Sequence, residues 1–208
     1  MKELGVYRLL AIYGSPRKGG NTDTLLDYFL QGCRLSDCTV KKAVLREFNI
    51  QPCTSCGECW RTGRCTIEDD MTPLYEMLVR YERIVCAFPV YFMGPPAIVK
   101  AFIDRAQALW VRRFVLRNMP EEKTEFGRKG FLLSTCGYRG DGRRSTERLF
   151  SCNITIIKAF YSACGIPYCD SLVYNGIESP RDLQRRSDIK REAIEAGGEW
   201  IGPAVTRT

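Results

Sequence analysis

The chain has 208 residues, of which 45% are hydrophobic and 26% charged, and these values are those of an ordinary globular protein with room for one core. Its net charge of +7 is spread along the chain without a helix-turn-helix, zinc-finger or basic-zipper pattern, so we expect no nucleic-acid partner. The longest uncharged run, residues 84–99, is broken by prolines and is shorter than a membrane span, so we expect no membrane partner. The start MKELG lacks a secretory signal, and we therefore expect a cytoplasmic protein.

Apolar runs of strand length alternate with amphipathic helical patterns along the chain. In chain order they predict a strand at 7–14, a helix at 22–35, a strand at 39–48, a helix at 72–81 opened by Thr72 and Pro73, a strand at 84–88, a helix from Pro96, a loop or lid at 112–128, a strand at 130–136, a helix at 145–163, a strand at 165–173 and a helix at 183–200. Strands that alternate with helices form βαβ units and hence a parallel sheet. The predicted fold class is therefore α/β, a flavodoxin-like doubly wound five-stranded parallel sheet in one domain over residues 1–208.

The segment QPCTSCGECWRTGRC, residues 51–65, holds four of the eleven cysteines. In a reducing compartment such clustered thiols are metal ligands or catalytic groups more often than disulfides, and the odd total argues against a fully paired disulfide framework. Four soft ligands at C-x2-C-x2-C-x5-C spacing favour an iron–sulfur cluster, and we predict one [4Fe–4S] cluster in an insertion at residues 50–70. The predicted ligands are Cys53, Cys56, Cys59 and Cys65.

Two other interpretations of this segment stay open. A structural zinc site would also use thiolates, although zinc sites usually have two cysteine pairs separated by a longer loop. The thiols could also carry no metal. We expect Arg61 and Arg64 to offset the negative charge of a thiolate-ligated cluster, while a simple solvated turn would explain the two arginines equally well.

Three predicted strand ends have unusual sequences, and ligands of open α/β sheets bind beyond the carboxyl ends of strands. GSPRKGGNTDTLL, residues 14–26, supplies hydroxyls, a cation and an amide before a helix N-terminus, which favours a phosphate, although it matches neither a Walker loop nor GxGxxG. PVYFMGPP, residues 89–96, offers a flat apolar wall, and STCGYRG, residues 134–140, has small residues that let the backbone approach a ligand. Each stretch alone is also compatible with an ordinary turn. Together they predict a phosphorylated ligand with a flat aromatic ring, and FMN is the simplest candidate.

These same stretches carry a family resemblance. GSPRKGGNT, PVYFMGPPAIVKAFIDR and the STCG loop resemble the NADPH-dependent FMN reductase-like flavoproteins of the flavodoxin fold. With the cysteine motif placed before IEDDM, the chain resembles the iron–sulfur flavoprotein branch of that family. The resemblance runs from about residue 7 to about residue 140, and the remaining third fits only in general pattern.

The resemblance implies a set of FMN-binding residues. The set comprises Ser15, Arg17, Asn21 and Thr22 at the phosphate, Pro89, Val90, Tyr91, Phe92, Met93 and Gly94 around the ribityl chain and ring, and Thr135, Cys136 and Gly137 against the ring. FMN carries the chemistry in such proteins. Because the chain has no histidine and no other side chain stands out as an acid or base, we assign no catalytic residue.

The resemblance further implies an electron-transfer flavoprotein, an FMN-dependent oxidoreductase with ferredoxin as its electron donor. It also implies a homodimer or homotetramer in which the cluster and the flavin of neighbouring subunits approach each other. The charge of +7 suits an acidic carrier such as ferredoxin. Two other functions stay open: an NAD(P)H-dependent FMN, quinone or nitro-compound reductase with a structural cysteine segment, and a non-enzymatic metal-stabilised binding module.

Overall fold

The computed structural model describes residues 7–34, 38–119, 127–139 and 143–202, with side chains from residue 147 onward in the last range. Five strands form one parallel sheet in the order β2-β1-β3-β4-β5. The strands are Tyr7–Tyr13 (β1), Cys38–Val44 (β2), Arg83–Ala87 (β3), Lys129–Thr135 (β4) and Tyr168–Tyr174 (β5). This order confirms the predicted flavodoxin-like sheet and places the reversal of strand order between β1 and β3.

Helices cover both faces of the sheet. They are Asn21–Cys33 (α1), Glu58–Thr62 (α2), Met71–Arg80 (α3), Ala97–Arg105 (α4), Gln107–Trp110 (α5), Arg143–Ala163 (α6) and Ser187–Ile201 (α7). Leu10 and Ile12 of β1 pack in a core with residues of α3, α4 and α6, while Leu9 and Ala11 pack in a second core with α1 and α7. Successive side chains of a strand point to opposite faces, so a strand buried on both faces is apolar throughout, as β1 is. Among the described helices, none is both long and apolar enough to cross a membrane.

Helices α1 and α7 approach each other at backbone contact. Gly32 of α1 and Gly197 of α7 lie at the contact, where a Cβ on Gly32 would overlap the carbonyl oxygen of Ile194 and a Cβ on Gly197 would overlap that of Phe29. Neighbouring Gly198 is different, because a Cβ there would have its nearest neighbour, the Gly32 oxygen, at 3.7 Å. The contact therefore requires glycine at 32 and 197 and tolerates a larger residue at 198.

The predicted boundaries are wrong at several elements. Strand β2 ends at Val44 rather than at residue 48, because the buried Leu45 begins a 3-10 turn over Leu45–Glu47. Helix α3 begins at Met71, and Thr72 is therefore not its cap; Pro73 still lies in the first turn, where a missing N–H removes no helical hydrogen bond.

The region after α5 also differs from prediction. Residues Val111–Val115 form a π-helical turn that continues from α5, so the predicted loop at 112–128 is wrong over its first residues, and residues 120–126 lie outside the described part of the chain. Strand β5 starts at Tyr168 because Gly165 adopts a left-handed conformation after α6. Helix α7 starts at Ser187, after a 3-10 turn at Leu183–Arg185.

Candidate functional site

A cavity of about 490 Å³ lies at the carboxyl ends of the central strands, and we name it the phosphate cradle. Its lining includes Ser15, Arg17, Lys18, Gly20, Asn21, Thr22, Pro89, Val90, Tyr91, Thr135 and Gly137. The structure thus brings residues from all three predicted strand ends around one space. Their role in binding FMN stays a prediction.

The loop between β1 and α1 is held by an ion pair beneath it. Arg46 donates to Asp23 at 3.0 Å and to the carbonyl oxygen of Ser15 at 3.2 Å, while Asp23 accepts the backbone N–H of Gly19 at 3.1 Å. Burial raises the pKa of Asp23, and the Arg46 guanidinium partly offsets this rise. The loop therefore has a fixed shape at the N-terminus of α1, where the helix dipole favours an anion such as a phosphate.

A pair of threonines joins the first turn of α1 to the end of β4. The Oγ1 atoms of Thr22 and Thr135 lie 2.6 Å apart and both side chains are buried. On the other side of the loop, the Ser15 hydroxyl accepts the backbone N–H of Arg17 at 3.2 Å. The predicted phosphate and ring loops are thus tied directly to each other.

A fourth wall of the cradle follows β5, and the sequence analysis missed it. Ile177, Glu178, Pro180 and Arg181 line the cavity there. Asn21 holds this wall, since its Nδ2 donates to the Ser179 carbonyl oxygen at 2.9 Å and its Oδ1 accepts the Leu183 N–H at 3.2 Å. The signal was available: the run NGIESP after β5 is another turn at a strand end of the same sheet edge.

Replacing Asn21 by Ala is expected to weaken FMN binding about tenfold, because two hydrogen bonds to the fourth wall are lost at about 0.5–1.5 kcal/mol each. The measurement is quenching of FMN fluorescence on titration into flavin-free protein. Gln31→Ala, on the exposed side of the same helix, is the control and should bind FMN like the parent. Equal affinity of Asn21→Ala and parent would contradict the role given to this wall.

A second cavity of about 530 Å³ adjoins the phosphate cradle, and we name it the ring cavity. Val90 and Gly137 line both cavities. The other lining residues are Phe92, Met93, Cys136, Tyr138, Arg148 and Leu149. A polar cavity that continues into a largely apolar one suits a ligand with a phosphate at one end and a ring at the other.

The turn at the rim of the ring cavity is strained. Tyr91 and Gly94 exchange two backbone hydrogen bonds, of 2.7 and 2.9 Å, which forces the residues between them into a tight turn. Phe92 and Met93 have φ angles of +46° and +63°, a left-handed conformation that costs an L-residue about 1–2 kcal/mol. Such strain concentrates at ligand sites. The Phe92 side chain is fully exposed at this rim.

A third cavity, of about 390 Å³, is lined by Cys53, Cys56, Cys59 and Cys65, and we name it the cysteine cavity. Its wall is completed by residues of α4 and α5, including Arg105 and Ala108. Burial raises the pKa of Cys59, and the other three cysteines raise it further, so the four thiols lie within electrostatic reach of one another. All four are free thiols.

The donor set of four thiolates fits an iron–sulfur cluster, and zinc sites also use such thiolates. Among the described residues, no three Cys, Asp or Glu side chains converge on a point that could hold one metal ion. A zinc site needs four ligands within about 2.3 Å of one centre, whereas the thiolates of an iron–sulfur cluster bind separate irons. The four thiols line one shared cavity, which suits the ligands of a cluster.

Fold and cavities together define a flavodoxin-like α/β protein with a candidate ligand cavity at the switch point of its sheet and a separate four-thiol cavity. Residues 7–163 match the family model for NADPH-dependent FMN reductase. The chain belongs to this family and is therefore an oxidoreductase, which removes the non-enzymatic alternative. FMN is the cofactor that the family name specifies.

Individual relatives agree with this assignment. The chain is 31% identical over 139 residues to an iron–sulfur flavoprotein of Methanosarcina thermophila, covering 67% of this chain and 68% of that protein. It is 37% identical over 98 residues to an iron–sulfur flavoprotein of Archaeoglobus fulgidus, covering 47% and 44%. A putative NAD(P)H-dependent FMN-containing oxidoreductase of Bacillus subtilis is 30% identical over 108 residues, covering 51% and 56%. The last two matches span about half of those relatives' lengths.

A solved structure shares the fold. The NAD(P)H:quinone oxidoreductase from Methanothermobacter marburgensis has a TM-score of 0.71 at 15% sequence identity, covering 94% of this chain and 98% of that one. At this identity the likeness concerns the fold alone.

Proposed function

We propose that the protein is an electron-transfer flavoprotein that binds FMN in the phosphate cradle and ring cavity and one [4Fe–4S] cluster in the cysteine cavity. The observation that carries this proposal is that the four cysteines of one short segment line a single cavity separate from the FMN site. When bound, FMN would exchange electrons singly or in pairs, and the cluster would pass single electrons.

The residues of the chain would bind and orient these groups. The N-terminus of α1, with Ser15 and Arg17, would hold the phosphate, and the Thr22–Thr135 pair would fix the distance between the phosphate loop and the ring loop. Met93 and Tyr138 would wall the ring cavity. Cys53, Cys56, Cys59 and Cys65 would ligate the cluster.

The test is a visible spectrum of anaerobically purified protein before and after dithionite, together with iron and acid-labile sulfide analysis. Flavin peaks over a broad iron–sulfur shoulder that bleaches on reduction are expected, with about four irons and four sulfides per chain. Protein without sulfide would rule the cluster out. Protein that neither contains nor takes up FMN would rule out the flavin site.

An assembly of subunits is part of the proposal. The ring cavity and the cysteine cavity share no residue in the described part of the chain, so we propose a homodimer or homotetramer in which the cluster of one subunit approaches the flavin of the next. The exposed Phe92, Met93 and Tyr138 at the ring rim give such a contact apolar surface. Light scattering coupled to size exclusion tests it, and a mass of one chain at all concentrations would contradict it.

The proposed electron donor is ferredoxin, or another acidic carrier. Aromatic side chains beside the cysteine cavity are exposed, with Trp60 at 52% and Phe114 at 45% of full exposure. Trp110 contacts both rings, at centroid distances of 5.7 Å to Trp60 and 5.6 Å to Phe114. The Arg113 guanidinium lies over the Phe114 ring, 5.5 Å from its centroid. Arg64 is exposed and directly precedes Cys65 in the sequence. An apolar surface with cations suits an acidic protein that delivers single electrons.

Replacing Arg64 and Arg113 together by Glu is expected to slow reduction of the cluster by reduced ferredoxin about tenfold at low salt, because an attractive field becomes repulsive. Stopped-flow absorbance gives the rate. Arg191→Glu, an exposed change on α7 away from the cysteines, is the control and should change the rate little. The parent rate should fall as salt is added, and a rate independent of salt would contradict electrostatic docking.

A second candidate function is an NAD(P)H-dependent reductase in which the cysteine segment is structural. The similarity to the putative NAD(P)H-dependent oxidoreductase of Bacillus subtilis favours it. Rapid bleaching of the bound flavin by NADPH alone would support this function, whereas bleaching that requires reduced ferredoxin would support the first.

A further inference from the structure

We propose that Arg105 is the positioning residue of the cluster site. It joins the two ends of the cysteine segment, and its one N–H without a partner in the described part of the chain is buried at the wall of the cysteine cavity. This inference rests on the proposed function, because it concerns the group that the four cysteines would hold.

The Arg105 side chain makes a complete set of bonds at its two terminal nitrogens. Nη1 donates to Asp69 Oδ2 at 2.7 Å and to the Gln51 carbonyl oxygen at 2.9 Å. Nη2 donates to Asp69 Oδ1 at 3.1 Å and to the Ile67 carbonyl oxygen at 3.1 Å. The side chains of Arg105 and Asp69 are 0% and 2% exposed, so the pair is shielded from water. Breaking a buried pair leaves an uncompensated buried charge, which is strongly destabilising.

The acceptors of Arg105 are placed symmetrically about the cysteines. Gln51 lies two positions before Cys53, and Ile67 lies two positions after Cys65. Asp69 strengthens the junction, since it also accepts the backbone N–H of Gln51 at 2.8 Å and that of Met71 at 3.0 Å. One buried ion pair therefore ties the entry and the exit of the cysteine segment to each other and to the start of α3.

The remaining N–H of Arg105 has no acceptor. An arginine has five N–H groups, and the four on Nη1 and Nη2 are used as described. Nε is buried without a hydrogen-bond partner among the described residues, while Arg105 lines the cysteine cavity. A buried donor is rarely left unpaired, so we infer that Nε meets an acceptor when the cysteines hold their group. Thiolate or sulfide sulfur of a cluster would supply it.

Tyr75 supports the same junction from α3. Its hydroxyl donates to the Arg105 carbonyl oxygen at 2.7 Å, at the end of α4. Burial raises the pKa of Tyr75, and the neighbouring Cys65 raises it further, so Tyr75 lies beside the last predicted ligand. Arg105 is thus held at both its backbone and its side chain next to the cysteines.

Two consequences distinguish this role from ordinary core packing. First, a cluster whose protein ends are clamped together releases iron slowly, because opening the segment requires breaking the buried pair. Second, an Nε–H that donates to a negatively charged cluster would favour its reduced form, which carries more negative charge, and so would raise its midpoint potential. Lysine at this position keeps the positive charge but lacks the planar fork and the Nε–H.

The experiment compares Arg105→Lys and Asp69→Asn with the parent as FMN- and iron-loaded protein. The readouts are the rate of iron release to a chelator, the midpoint potential of the cluster from a redox titration followed by electron paramagnetic resonance, and the FMN content. Arg105→Lys is expected to release iron at least about tenfold faster and to have a more negative cluster potential, with FMN content unchanged. Asp69→Asn should release iron faster as well.

Arg191→Ala is the control, since it removes an exposed ion pair with Glu195 from α7. It should leave all three readouts at parental values. Parental release rate and potential in both Arg105→Lys and Asp69→Asn would overturn the inference. Loss of the fold and of FMN in both would overturn it too, because the pair would then support the whole core rather than the cluster site. If the parent protein itself contains no iron and sulfide, the proposed function is wrong. That result is distinguishable from a failure of the inference about Arg105.

Discussion

Cys59→Ala protein is expected to retain less than about a tenth of the parental iron and sulfide while its FMN content stays unchanged. Cys59 is one of the two half-buried members of the four cysteines and lies in α2, which is flanked by Gly57 and Gly63, both with positive φ. Without this thiolate, one iron of the cluster would have no protein ligand. The FMN site should be unaffected, because its two cavities share no lining residue with the cysteine cavity in the described part of the chain.

The control for Cys59→Ala is Cys169→Ala, which removes an exposed thiol on the edge strand β5. It should keep the parental iron and sulfide. Iron and sulfide analysis and the visible spectrum of anaerobically purified variants measure the outcome. Parental iron content in Cys59→Ala would remove this cysteine from the ligand set.

Gly197→Ala is expected to lower the free energy of unfolding by about 3 kcal/mol, at the upper end of overpacking effects. The new methyl group would overlap the carbonyl oxygen of Phe29, so α7 must move away from α1. That movement opens the core in which Phe29 packs against Trp200 at a centroid distance of 5.5 Å. For a protein of this size the melting temperature should fall by about 6–12 °C.

The neighbouring Gly198→Ala is a control on the same helix with the opposite sign. A Cβ there meets nothing nearer than the Gly32 oxygen at 3.7 Å, and alanine is favoured over glycine in a helix by about 1 kcal/mol. We expect this variant to be up to about 1 kcal/mol more stable than the parent. Urea unfolding followed by circular dichroism, at saturating FMN for all proteins, compares the three. Equal stabilities of the two variants would contradict the backbone contact between α1 and α7.

The central strands were predictable because burial on both faces leaves a plain pattern. β1 and β3 consist mainly of buried apolar residues and were predicted close to their observed bounds. The edge strand β2 has exposed lysines and only one fully buried position, Ala43, so its pattern continues into a turn without a visible break. The 3-10 turn at Leu45 depends on packing of that side chain in the core, which no local pattern reports.

The candidate site, like the strands, was predictable from the sequence only in part. Loops that follow strands of a parallel sheet must meet at one edge, and residues from 14–26, 89–96 and 134–139 do line one cavity. The bonds that shape the site join distant residues, however: Asn21 reaches Ser179 across 158 positions, and Arg105 reaches Asp69 across 36. In sequence, Arg105 is only a cation at a helix end and Asp69 only an acid before one. Their pairing follows from tertiary packing.

The wall of the phosphate cradle that follows β5 is synthesised last, so it determines when during synthesis the cradle is complete. Chains fold from the N-terminus as they are synthesised. The loops after β1, β3 and β4 leave the ribosome first, but residues 177–181 follow only after β5, and Asn21 has no wall to bind until then. A nascent chain that ends at β4 would lack this wall, and we expect its affinity for FMN to be lower. We expect FMN to bind after β5 has joined the sheet. The cofactor would then bind completed sheets and would not assist their assembly.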